Sequence, residues 1–150
     1  MNRIAILALA LAACAPPPKT IEKPKPDPAT ESWYAPAADQ LAVMARDAEA
    51  AFRRGRTEEA ARLVTEGQPL LNRLIAVPRP TLAAMEAASD LDDLYGRMLM
   101  RDRRYGWARL QFQKNAVRWK HWQPPTADTA RRLQEAESQM ADCDRLIAAQ

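Results

Sequence analysis

The side chains able to do chemistry in this chain of 150 residues are few and scattered. His121 is the only histidine, and Cys14 and Cys143 are the only cysteines. Two such isolated ligands do not make a zinc site, and no metal or cofactor is expected. A nucleophile with a neighbouring base, a carboxylate pair set for acid–base work and a glycine-rich phosphate loop are all missing, so the chain reads as a non-enzyme. Glu58 and Glu59 have a simpler use as first-turn helix charges. What remains is the chemistry of binding. Between Arg101 and Trp122 seven Lys or Arg stand against one Asp, a net of +6 in a chain whose total is +3. Arg103, Arg104, Lys114, Arg118 and His121, interleaved with Trp107 and Trp122, form the candidate contact set. Such cations attract acidic protein segments, anionic lipid head groups or acidic wall polymers in a salt-dependent way, and Trp and Arg are favoured interface anchors.

Positioning these residues requires helices. From about residue 37 to 150 apolar residues recur at helical spacing, strand-like alternation is absent, and four glycines in the whole chain leave little room for hairpins. A length of this order makes one all-α domain the expectation. A first helix from near Ala37 to Arg54 carries Leu41, Met44, Ala48 and Phe52 on one face, and Gly55 stops it. A second follows, with Thr57 as its cap and a stripe of Ala60, Leu63, Gly67, Leu70 and Leu74; Pro69 predicts a kink or break near Glu66. A third starts at about Pro80 and carries Leu91, Leu94, Tyr95, Met98 and Leu99 to Asp102. The fourth, after a turn over Arg103, puts Tyr105, Ala108, Phe112, Ala116 and Trp119 on one face and ends before Pro124-Pro125. The fifth begins at about Thr126, with Leu133, Ala136, Met140, Cys143 and Ile147 on one side.

The fourth helix has a second apolar face, where Trp107, Leu110 and Val117 stand among Lys114, Arg118 and His121. Two uses compete for it. It can be a binding surface, or the fifth helix can lay its stripe over these three residues and leave only the charges exposed; the second is expected, because the fifth helix must bury its stripe somewhere.

At the other end, a basic start with Arg3, an apolar stretch from Ile4 to Leu11 and the sequence Leu11-Ala12-Ala13-Cys14 resemble the signal of bacterial lipoprotein precursors. The apolar run is about half of the ~20 residues needed to span a bilayer. The resemblance implies that residues 1–13 are removed and that Cys14 carries the lipid anchor, its several acyl chains holding the membrane stably where one would not. It implies a cell-envelope address, and Ala15 in place of Asp favours an outer membrane facing the periplasm if the cell is Gram-negative. With Cys14 consumed, Cys143 has no disulfide partner within the chain. Nucleic acid is not expected as a partner of an exported protein, although the sequence pI is near 9.1. Residues 14–36, with Pro16-Pro17-Pro18 and Lys23-Pro24-Lys25-Pro26-Asp27-Pro28, read as a disordered proline-rich tether. At about 3.1 Å per residue, ~20 such residues extend on the order of 60 Å.

The hairpin turns Gly55-Arg56-Thr57-Glu58-Glu59-Ala60 and Arg103-Arg104-Tyr105-Gly106-Trp107-Ala108 resemble those of tetratricopeptide-repeat proteins. Gly96, Tyr105, Ala108 and Phe112 match the repeat's small and aromatic positions; in the first copy Ala48, Ala60 and Val64 fill comparable places and Thr57 replaces the aromatic. Ala60 and Ala108 lie 48 residues apart, against about 34 in that family. The resemblance implies antiparallel helical hairpins that bind another protein: a membrane-anchored adaptor or assembly factor of the envelope. The alternative is a basic module for an anionic wall polymer or lipid head groups.

Overall fold

The computed structural model describes residues 27–150. The signal-like segment, Cys14 and the proline-rich stretch as far as Pro26, on which the lipoprotein and tether expectations fall, lie outside the described residues. Five helices follow a short 3-10 turn at Pro28–Thr30: α1, Tyr34–Arg53; α2, Thr57–Ile75; α3, Leu82–Arg101; α4, Tyr105–Lys120; and α5, Ala127–Ala148. No strand occurs among the described residues. The fold is all-α, and none of the described helices is long and apolar enough to cross a membrane.

The helices pack as two hairpins and a closing helix: α1 on α2, α3 on both of them, α4 on α3, and α5 along α4. Small residues set this closeness. In α1 the buried face is Ala37, Ala38, Leu41, Ala45, Ala48 and Ala51, so the neighbouring helices lie against a nearly flat alanine surface. A methyl group added at Gly96 would stand 2.4 Å from Phe112 Cε1, which shows how tightly α4 seats on α3. Leu94, Met98 and Leu99 continue that seam, while Leu41, Leu71, Leu74 and Leu91 fill the first hairpin.

Both hairpins turn on the same backbone device. After α1, Arg56 N donates to Ala51 O (2.9 Å) and Gly55 N to Phe52 O (3.0 Å), with Gly55 at φ +75°. After α3, Arg104 N donates to Leu99 O (2.8 Å) and Arg103 N to Met100 O (3.0 Å), with Arg103 at φ +59°. These paired bonds satisfy the last free carbonyls of each helix and need one left-handed residue.

The described structure departs from the sequence expectations at three places. α1 begins at Tyr34, and the end of the supposed tether belongs to the folded domain. Tyr34 is fully buried, its hydroxyl donates to Leu74 O (3.1 Å) and accepts from Thr81 N (3.3 Å). Trp33 packs beside it and beneath the Arg73 guanidinium, 3.9 Å from the ring centroid. Second, α2 does not break near Glu66. Pro69 is on the exposed side of the helix and so is Thr65, whose carbonyl loses the proline's amide donor on the side open to solvent rather than in the core. Gly67 is a contact: a Cβ there would stand 2.8 Å from Leu91 Cδ2. Third, Thr57 and Pro80 are displaced by one or two positions. Thr57 is the first helical residue of α2 and accepts a bond from Arg101 Nη1 (2.8 Å), whereas Thr81, one residue after Pro80, caps α3 by accepting from Ala84 N (3.3 Å). Thr126 caps α5 as a capping box with Thr129.

Candidate functional site

The inner stripe of α4 serves two neighbours at once. Ala108, Phe112, Ala116 and Trp119 are buried, Phe112 against Gly96 of α3 and, with Ala108, in one cluster with Cys143 of α5. Because α5 shares this stripe with α3, it leaves the opposite face of α4 uncovered. Trp107 is 63% exposed, Leu110 48% and Val117 51%. The expectation that α5 would cover these three residues is therefore wrong. The reason is visible in α5 itself, whose fully buried apolar residues are only Ala136 and Cys143. Besides this narrow apolar contact, polar bridges join it to α4 and α3: Arg109 Nε to Asp144 Oδ1 (2.6 Å), Arg132 Nη1 to Asp90 Oδ1 (2.6 Å) and Gln139 Nε2 to Asp93 Oδ1 (2.7 Å). Ile147, placed on its apolar stripe in the sequence, is 42% exposed.

The uncovered face of α4 borders a groove of about 770 Å³. Leu71 and Ile75 of α2 form one wall, Leu110 and Val117 of α4 the other, and Met85 of α3 lies between them. The groove exists because α2 and α4 both pack on α3 without packing extensively on each other. Trp107 stands one turn before Leu110 along α4.

Charge around the groove is arranged in two layers. In the deeper one, Asp92 (side chain 1% exposed) accepts from Arg118 Nη2 at 3.0 Å, and Arg118, only 6% exposed, also donates to Asn115. Asn115 Nδ2 in turn donates to Ser89 O (3.0 Å), and the Trp119 indole donates to Ser89 Oγ (2.9 Å). This is a buried polar seam between α3 and α4. Its one unsatisfied atom is Asp92 Oδ1, which lacks a hydrogen-bond donor and lies 3.7 Å from Lys114 Nζ. In the upper layer Lys114 is half-exposed, and Arg103, Arg104 and Lys120 have no carboxylate partner among the described residues.

The candidate contact set of the sequence thus divides. Trp107, Lys114, Arg103 and Arg104 are open to solvent on or beside the α4 face, and His121 is exposed where α4 ends. Arg118 is not available for contact, because its guanidinium is committed to Asp92; a buried carboxylate with no cation would be costly, so the pair is structural. Trp122 is half-buried, stands edge-on to Trp119 with ring centroids 6.4 Å apart, and does not line the groove. Sequence reasoning missed Leu71, Ile75 and Met85. The first two are one helical turn apart on α2, a signal that lies outside the expected stripe of Ala60, Leu63, Gly67, Leu70 and Leu74. Asp92, set between Leu91 and Leu94, was the signal for the partner of Arg118.

A second depression, about 590 Å³ between α1 and α3, is lined by Arg46, Arg53, Arg97, Glu49 and Asp93. Part of its charge is paired: Arg97 bonds both Glu49 and Asp93, and Arg53 bonds Glu49, while Arg46 has no carboxylate partner among the described residues. Burial alone would raise the Glu49 carboxyl, but hydrogen bonds and charge from Arg97 and Arg53 outweigh it and hold the group below its ordinary value. No cluster of three metal-binding side chains occurs among the described residues. Burial, and then the charges of Asp144 and Asp142, push the Cys143 thiol up, which is the state of an inert packed cysteine. No family model, curated protein or solved structure matches this chain, so the site is read from its own geometry.

Proposed function

We propose that this protein is an envelope lipoprotein that holds another envelope protein through the α4 face while lipid on Cys14 keeps it at the membrane. The observation that carries this reading is the exposure of Trp107, Leu110 and Val117 beside an apolar groove. Three large apolar side chains on one helix face cost solubility unless something binds them, and a Trp near Arg and Lys is the composition of an interface core with a charged rim. The lipobox-like segment and the proline-rich stretch give such a domain an anchor and reach.

The test is in-cell crosslinking from a photoreactive residue placed at Val117, with a Cys14→Ala chain as control. The adaptor reading expects one envelope protein recovered in near-equal amount and lost in the control. A second reading, a basic module for an anionic wall polymer or lipid, is favoured by Arg103, Arg104 and Lys120, which have no carboxylate partner among the described residues. Recovery of wall fragments or lipid alone, released by moderate salt, replaces the first reading with the second.

A further inference from the structure

The groove between α2 and α4 has the form of a place left for one more helix. Its two walls are helices, a third runs beneath it, and its apolar residues are spaced as one helix face presents them: Leu71 and Ile75 one turn apart on α2, Leu110 and Val117 two turns apart on α4. From Trp107 to Val117 the exposed apolar face spans ten residue-to-residue steps of helix, about 15 Å at 1.5 Å per residue. A segment of about three helical turns covers that length, and an added helix packs across such rows at an axial separation of about 8–10 Å. We infer that the groove seats an amphipathic helix of a partner protein, apolar on the side facing Leu71, Ile75, Leu110 and Val117 and acidic along its flanks.

Charge selects this occupant over the two that the chain itself could supply. The surroundings are basic: Lys114 lines the groove, and beyond its end, in the turn that opens α4, Arg103 and Arg104 have no carboxylate partner among the described residues. The stretch before Asp27 carries Lys19, Lys23 and Lys25 against the single acid Glu22, so it would add like charge there. A second copy docked by two-fold symmetry would bring one basic α4 face against another. An acidic helix instead meets Lys114 with opposite charge in the groove and is attracted by the field of Arg103 and Arg104 beyond its end, while the Arg118–Asp92 pair below contributes no net charge. Binding by an apolar helix face in a groove with charged flanks is a general recognition mode.

This inference rests on the adaptor reading for its biological setting, and its test is independent of it. A phage-displayed library of helix-forming 16-residue peptides, randomised on all faces, is selected against the full chain in detergent. Enrichment of peptides with apolar residues at i, i+3 or i+4, and i+7, flanked by Asp or Glu, is expected. Their synthetic versions should lose about tenfold or more in affinity for Leu110→Asp and Val117→Asp, weaken with salt, and bind Leu146→Ser unchanged. Both groove positions are about half exposed, and circular dichroism of the variants confirms the fold; Val117→Ser gives a milder second variant.

Selection of basic or proline-rich peptides, or of binders indifferent to Leu110 and Val117, overturns the proposal. So does tighter peptide binding on deletion of residues 15–26, which makes the chain's own segment the occupant, or self-association abolished by Val117→Asp, which makes it a second copy. Acidic helices selected in vitro with no protein crosslinked in cells would keep the groove and remove the adaptor reading. A protein crosslinked from Val117 in cells with no acidic helix selected in vitro would keep the adaptor reading and overturn the acidic helix as its means of binding.

Discussion

Arg103 occupies, 48 residues later, the left-handed backbone position that Gly55 holds in the first hairpin. The hydrogen bonds around the two residues correspond one for one, as do the buried Ala60 and Ala108 and the buried Val64 and Phe112 that follow. The same supersecondary unit is therefore built twice, once with the residue best suited to its turn and once without.

Replacing Arg103 by Gly should raise stability by about 1 kcal/mol, since a left-handed arginine costs about that much and glycine does not. Gly55→Ala should lower it by about 1 kcal/mol although nothing lies within 4 Å of the added methyl, because the penalty is in the backbone. Urea midpoints of the two variants check both signs. Equal midpoints would mean that the turns are not under strain.

Gly96→Ala should destabilise by about 1–3 kcal/mol, through the clash of its methyl with the Phe112 ring. Combined with Phe112→Leu, the alanine should cost much less than it does alone, a coupling that a double-mutant cycle measures directly. Additive losses would show that the two helices are seated less closely than 2.4 Å implies.

Arg118→Met leaves Asp92 buried with no hydrogen-bonded cation and should cost about 3–5 kcal/mol, whereas the double change Arg118→Met with Asp92→Leu should recover most of it. Thermal unfolding of the three chains distinguishes these. A small loss in the single variant would mean that Lys114, 3.7 Å away, closes on the carboxylate in its place.

Glu49 gives the first hairpin an acid-sensitive contact with α3. Its folded carboxyl lies below its ordinary value of 4.5, so the stability it contributes is present above that pH and is lost as pH falls through the lower folded value. Glu49→Gln should flatten the decline of unfolding free energy below about pH 4.5 and change the neutral-pH slope little. A decline of unchanged steepness would assign acid sensitivity to other carboxylates.

What was legible in the sequence was local. Gly55 and the turn over Arg103, the start of the fifth helix at Thr126 and the inner faces of α3 and α4 follow from residue type and period alone, so five helices and an all-α fold were within reach. The continuity of α2 was not, because a proline ends a helix or rides on its wet side according to which face the rest of the fold buries. Tyr34 was lost for a related reason: its neighbours to the N-terminal side have a tether's composition, while its partners, Leu74 and Thr81, lie 40 and 47 residues away. The candidate site failed in one way and succeeded in another. The outer face of α4 is visible in the spacing of Trp107, Leu110 and Val117, but which side α5 takes depends on the direction in which the chain leaves Trp122. Arg118 looks like any surface cation until the fold brings Asp92, 26 residues earlier, beneath it.

The Tyr34 hydroxyl joins the start of α1 to the end of α2 and the start of α3, and Asp27, just before it in the chain, meets Arg79 at 3.4 Å. Any pull transmitted from the N-terminal side therefore enters the molecule at a three-way junction. The load is shared between the first hairpin and the head of α3 before it can peel α1 away. The groove adjoins that junction, since Ile75 and Pro80, which line it, are the chain neighbours of Leu74 and Thr81, so its α2 wall and the anchoring of Tyr34 are mechanically connected.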